Sequence, residues 1–195
     1  MKILAAILFS LAVNAFAVEN GKLAPAFALE GASGKTVSLT ALKGKIVVLE
    51  WLNHGCPFVR KHYDSNNMQS LQKKYKSQGV VWLSIVSSAP GKQGHVDAKG
   101  AKADITKYKS EASDVLLDTD GTVGRAFGAK VTPHMYIINK DGLLIYQGAI
   151  DSIRSADAAD IPKSKNFVAL ALDATLAGKA VAEAKTEAYG CGVKY

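Results

Sequence analysis

Short, uninterrupted apolar runs alternate along this chain with longer stretches of helical spacing. Residues 46–52 and 80–86 are apolar almost throughout, the pattern of strands buried on both faces of a sheet. Glu50 is the one acid inside the first of them. Residues 27–29 and 37–39, separated by Gly31-Ala32-Ser33-Gly34-Lys35, predict a β-hairpin. Residues 135–138 and 143–146 around Asn139-Lys140-Asp141-Gly142 predict a second. Between them, residues 115–117 read as a shorter strand closed by Asp118-Thr119-Asp120-Gly121.

From Pro57 the spacing turns helical, with Val59 and Tyr63 and then Met68, Leu71 and Tyr75 recurring on one side. Asp64-Ser65-Asn66-Asn67 interrupts that pattern with residues that favour caps and turns, so a kink or two half-helices is expected, the second stopped by Gly79. Thr40 is placed to cap a single turn that ends at Gly44. A helix over about 103–111 and a short one over 123–127, ended by Gly128, follow. Phe167, Leu170, Ala174 and Ala177 mark the face of a last amphipathic helix stopped by Gly178. Strands joined through helices and followed by an antiparallel hairpin describe an α/β chain: a mixed sheet with helices on both faces.

Composition narrows the class. The chain has 195 residues, enough for one domain with a substantial core, and 48% hydrophobic with 21% charged residues argues against long disorder. The formal charge of +7 comes from scattered lysines, densest at Lys92, Lys99, Lys102, Lys107 and Lys109. Only Tyr108 interleaves them, which reads as a solvated face and not a nucleic-acid site. Residues 1–17 read as a signal peptide: Lys2, an apolar core too short to span a bilayer, and Ala15-Phe16-Ala17 as a cleavage pattern. The mature chain is then periplasmic or secreted, with no stable membrane anchor after cleavage. Residues 23–178 form the domain and 179–195 a tail carrying Cys191. An oxidising compartment lets the chain's two cysteines pair.

The chemistry centres on Cys56-Pro57. A cysteine opening a helix faces unpaired backbone N–H groups and the positive end of the helix dipole, and both favour thiolate. Pro57 suits the first helical position because its missing N–H has no partner there. Arg60 and Lys61, one turn on, are expected to add positive charge. A carboxylate on a buried strand, such as Glu50, has a raised pKa through desolvation, which suits proton transfer.

The hairpin, the strand, Trp51 before Cys56-Pro57, and Val131-Thr132-Pro133 before a second hairpin resemble the thioredoxin fold. The Asn53-His54-Gly55-Cys56-Pro57-Phe58-Val59 string and the late Gly190-Cys191-Gly192 resemble its redoxin branch, the alkyl hydroperoxide reductase and thiol-specific antioxidant (peroxiredoxin-like) family. The resemblance implies a thioredoxin-like three-layer α/β/α fold with a mixed central sheet and an N-terminal β-hairpin. It implies a thiol-disulfide oxidoreductase or antioxidant peroxidase-like activity, no cofactor, and a protein thiol or disulfide, or a peroxide, as partner. Cys56 matches the first cysteine of the thioredoxin pair, Pro133 the facing cis-proline, Thr132 the residue that offers backbone to a substrate chain, and Glu50 the buried acid. Val59 stands where a second cysteine would be, and Asn53 and Leu49 stand where peroxiredoxins carry threonine and proline. Cys191 is then either a distant resolving thiol, flanked by glycines that let the tail move, or half of a permanent bridge to Cys56 worth roughly 5 kcal/mol by loop closure. A copper site drawing on Cys56 with His54, His62 and His134 is the lesser alternative.

Overall fold

The structure is a computed structural model that describes residues 18–195. The expected signal peptide, residues 1–17, lies outside the described residues. Among the described residues the strands are β1 (Ala28–Gly31), β2 (Thr36–Ser38), β3 (Val47–Trp51), β4 (Val81–Val86), β5 (Asp114–Leu117), β6 (Val131–Thr132), β7 (His134–Ile138), β8 (Leu144–Gly148) and β9 (Cys191–Gly192). The helices are α1 (Pro57–Asp64), α2 (Asn67–Lys76), α3 (Ala98–Lys107), α4 (Thr122–Phe127) and α5 (Phe167–Leu176).

Seven strands form one sheet in the order β2-β1-β5-β4-β3-β7-β8. Every residue of β3 is buried, because β3 runs parallel to β4 (Leu49 opposite Leu83), antiparallel to β7 (Leu49 opposite Tyr136), and both its faces are covered. That explains its continuous apolar run: no face is left for polar residues. One face packs Val48, Trp82, Met135 and Tyr146 against Val59 and Tyr63 of α1, Met68 and Tyr75 of α2, and Val168 and Leu172 of α5. The other packs Leu49, Trp51, Leu83 and Tyr136 against Phe27, Val123 and Phe127. On that second face Trp51, Phe127 and Tyr136 meet at ring separations of 5.0–5.5 Å. Each such fully buried side chain contributes roughly 1.5–3 kcal/mol.

The helical stretch from Pro57 does divide in two. Asn66 takes a left-handed conformation, φ 60°, between α1 and α2. Two expectations are corrected. The third helix begins earlier than residue 103, because Asp97 caps it by accepting from the N–H of Gly100 at 2.7 Å. In α5 the buried face is Val168, Ala171 and Leu172, while Leu170 is 54% exposed. Apolar residues lie on nearly every side of that helix, so spacing admits more than one face, and docking against β7 and Tyr146 selects among them. The C-terminal stretch is docked: residues 184–186 bond along β8, and β9 pairs with β6 as a separate two-stranded ribbon.

Candidate active site

Strand β3 delivers the chain to a tight turn. The side-chain oxygen of Asn53 accepts from the N–H of Gly55 at 2.8 Å, its amide donates to the carbonyl of Gln93 at 3.0 Å, and the N–H of Cys56 donates to the Asn53 carbonyl at 2.9 Å. Cys56 is the extended N-cap residue of α1, with Pro57 in the first turn, and its carbonyl accepts from the N–H groups of Val59 and Arg60. Burial of the sulfur opposes ionisation. Interactions with the side chain and backbone of Cys191, and with the backbone of Val59 and Phe58, outweigh it and hold the thiol below its ordinary pKa. The helix-start effect expected from the sequence thus acts through specific backbone donors. Arg60 and Lys61 do not supply charge to it: Arg60 pairs with Asp64 at 3.1 Å on the surface, and Lys61 is buried against Asp151.

Opposite the thiol, the Thr132–Pro133 peptide is cis. The Cys56 thiol donates to the Thr132 carbonyl at 3.1 Å. On the other side of Thr132 lies the tail, with Cys191 its antiparallel partner and Gly192 paired with Val131. Cys56, Thr132, Pro133 and Cys191, 135 residues apart at the extremes, therefore meet in one place. Both cysteines are free thiols. Burial and the facing Cys56 push the Cys191 thiol up to about 11. Gly190 does not serve as a loose hinge here. A side chain at that position would place its Cβ 2.0 Å from the Thr132 carbonyl oxygen, so glycine is what lets the tail lie this close.

Glu50 is fully buried one layer away. Its carboxylate accepts from Tyr63 (2.9 Å), Trp82 (2.8 Å), Ser84 (3.1 Å) and Gln72 (3.1 Å), and neither cysteine is among these donors. Desolvation raises its pKa against the pull of those four bonds. The Tyr63 ring stands edge-on to His54, which stacks on Tyr108 at 3.7 Å. Burial and Lys107 hold His54 down to about 4, so it is neutral at neutral pH. His62 faces Asp151 and His134 bonds Tyr136, so the histidines serve separate neighbours. Among the described residues no three His, Cys, Asp or Glu side chains are arranged to hold a metal ion.

The feature that the sequence reading missed is a buried ion pair beside the tail. Lys61 of α1 and Asp151, at 0% and 2% side-chain exposure, meet at 2.9 Å, and Lys61 also donates to the Ile153 carbonyl at 3.1 Å. The hydroxyl of Tyr189, two residues before Cys191, donates to the other oxygen of Asp151 and lies 3.4 Å from the Lys61 ammonium. The local sequence does not signal this: Lys61 reads there as a charge beside Cys56, and no local pattern links it to Asp151, 90 residues on. A tyrosine two residues ahead of a glycine-flanked cysteine is the only available hint.

A curated relative, thiol-disulfide oxidoreductase ResA of Bacillus subtilis, is 32% identical over 128 residues, spanning 66% of each chain, just under two thirds of the relative's length. An uncharacterized conserved protein from Geobacillus kaustophilus superposes with a TM-score of 0.81 at 28% identity, covering 91% of this chain and 92% of its own. The thioredoxin domain of a thiol-disulfide oxidoreductase from Bacteroides vulgatus does so with a TM-score of 0.55 at 20% identity, covering 75% and 97%. The fold is thus thioredoxin-like. The AhpC/TSA family model matches residues 20–147, from the lead into β1 through to β8 and across the Cys56 turn and cis-Pro133, and on that match the chain belongs to the AhpC/TSA family.

Proposed function

We propose that this protein exchanges thiols with disulfides, Cys56 attacking first and Cys191 resolving. The observation that carries the reading is geometric: Cys56 opens α1 opposite the cis Thr132–Pro133 peptide, and β9 brings a second free thiol, Cys191, onto Thr132 beside it. The Cys56 thiolate attacks one sulfur of a substrate disulfide, forms a mixed disulfide and releases the other sulfur as a thiolate that takes up a proton. Forming the mixed disulfide removes the negative charge opposite Cys191, which lowers the barrier to deprotonating Cys191. Cys191 then attacks the Cys56 sulfur, the substrate leaves as its second thiol, and the protein holds a Cys56–Cys191 disulfide. Two electrons have passed to the substrate, and an external dithiol must restore the pair. Thr132 and Pro133 align the incoming chain, and Glu50 acts as a buried proton store behind Tyr63. The reading of residues 1–17 as a cleaved signal places this work in the periplasm or outside the cell.

The Cys56 thiol is fully buried beneath the tail, which favours a second reading: a small oxidant such as a peroxide reaches it without the tail moving, giving a sulfenic acid that Cys191 condenses to the same disulfide with loss of water. The test treats wild type, Cys56→Ser and Cys191→Ser with glutathione disulfide or hydrogen peroxide and weighs each product without reductant. Exchange predicts an internal disulfide in wild type, a glutathione adduct on Cys56 in Cys191→Ser, and neither product in Cys56→Ser, which lacks the attacking thiol. Thiols that stay free with glutathione disulfide, or an adduct on Cys191 with Cys56 untouched, overturn it. An internal disulfide formed by peroxide alone favours the second reading.

A further inference from the structure

Resting on that reading, the docking of the tail bears on which substrate is taken. The tail is received by a seat with four separate parts. Tyr189, 5% exposed, reaches the buried Lys61–Asp151 pair with its hydroxyl and lies edge-on to Phe58 at 5.7 Å. Gly190 rests directly on the Thr132 carbonyl. Cys191 and Gly192 pair with β6, and the N–H of Val193 continues to the Lys130 carbonyl at 3.0 Å. Tyr195 fills a slot under Arg125, 4.5 Å from its ring, where side chains at Gly121 or Gly124 would collide with it.

One of these parts is more than a tail needs. Burying an ammonium and a carboxylate away from water is expensive unless their remaining bonding capacity is used, and here the hydroxyl of Tyr189 is among the few groups that use it. Cys56 is 0% exposed with the tail seated beside it, so a protein disulfide reaches its sulfur only once its cover moves, and the tail is a part of that cover held by only two residues of strand. Lifting exposes the unpaired edge of Thr132, the flat seat of Gly190 and the polar slot of Tyr189 together.

We infer that the slot formed by Lys61, Asp151 and Phe58 is a phenol-binding subsite for substrate, and that the tail is its resident stand-in. The substrate is an extended protein segment with tyrosine two residues before its target cysteine and glycine immediately before it. Such a segment pairs with Thr132 as β9 does and places its sulfur where Cys191 stands now. As the substrate segment, still joined to Cys56 by its disulfide, withdraws from Thr132 and the slot, the tail re-seats and Cys191 attacks the Cys56 sulfur, releasing the substrate thiol.

The test uses the full-length Cys191→Ser protein and the peptide Ala-Tyr-Gly-Cys-Gly-Val-Lys-Tyr, the sequence of residues 188–195, its cysteine activated as a mixed disulfide with thionitrobenzoate. Attack by Cys56 on the peptide sulfur releases the coloured thiolate and leaves a weighable adduct. Peptides with the first tyrosine changed to phenylalanine or alanine, or the first glycine to alanine, are compared with it, and glutathione disulfide serves as control. A phenol bonded to charged partners predicts a rate about tenfold or more above the alanine and phenylalanine peptides, with the glycine-to-alanine peptide also slow. Adding Tyr189→Ala, which loosens the resident tail, speeds all the peptides while keeping their order. Equal rates for all peptides overturn the subsite while leaving thiol exchange standing. No adduct with any peptide or with glutathione disulfide overturns both. A dimer whose tails cross between copies overturns the assignment of the slot to a substrate.

Discussion

Cys56 and Cys191 lie side by side, yet the two stretches that carry them are built differently. Cys56 stands on β3 and α1, elements buried on most sides, and its turn is tied by Asn53 within the same few residues. Cys191 arrives on a tail that contributes only two residues of strand and is held by contacts to Lys61, Asp151, Thr132 and Ala129, all far from it in sequence. The contact between the thiols then acts in opposite senses: it helps hold Cys56 down and helps push Cys191 up to about 11. A shared hydrogen bond needs one donor and one acceptor, so two identical groups in contact become unequal as soon as one has better backbone donors. Cys56 has those of the helix start.

The comparison rests on the tail's seat, and the severest way to break it is to uncover the charge beneath. Lys61→Met leaves Asp151 buried without its cation and is expected to destabilise by about 3–5 kcal/mol in urea unfolding. Replacing both, Lys61→Met with Asp151→Leu, recovers most of that stability but leaves the tail loose. A single variant as stable as wild type would mean that the pair is not dry.

Acid attacks the same place. Burial, with Lys61, outweighs the Asp151 carboxylate and holds His62 down to about 4, against 6.5 for an ordinary histidine. The folded protein therefore binds fewer protons than the unfolded chain between those values. The stability this represents is present in full above pH 6.5 and is lost as pH falls towards 4, about 3 kcal/mol for one such group. His62→Leu is expected to flatten the fall of unfolding free energy over that window by an amount of that order, and an unchanged slope would assign the acid lability elsewhere.

Gly190→Ala sharpens the comparison because it should move one thiol's carrier and not the other's. The added methyl meets the Thr132 carbonyl, a strain of about 1–3 kcal/mol confined to the tail, so Cys56 alkylates roughly tenfold faster while the urea midpoint of the domain hardly changes. Equal alkylation would mean that the tail does not cover the thiol. The smallest effect is expected of Cys191→Ala. Losing the interactions of that side chain moves the pH at which Cys56 alkylation levels off upward, and no movement would assign the low thiol pKa to the helix backbone alone.

Much of the fold was legible in the sequence, for local reasons. The run around Glu50 has no face to spare for polar groups, so it reads as a buried strand, and residues 64–67 favour turns wherever they occur. Cys56-Pro57 opens a helix because proline tolerates that position and few others. The face of α5 was not legible, since FVALALDATL offers apolar residues in several directions.

At the site the division runs between the two thiols. The sequence by itself determined that Cys56 would stand at a helix start after a buried strand and that a Thr132-Pro133 unit would precede a hairpin, because backbone preference acts over a few residues. Only the tertiary structure decided that Cys191 meets Thr132, that Gly190 is a seat and not a hinge, and that Lys61 leaves the solvent to join Asp151 and Tyr189. Those outcomes join groups up to 128 positions apart in the chain. A buried charge finds its partner through the packing of the whole domain, and no local pattern records which partner that will be.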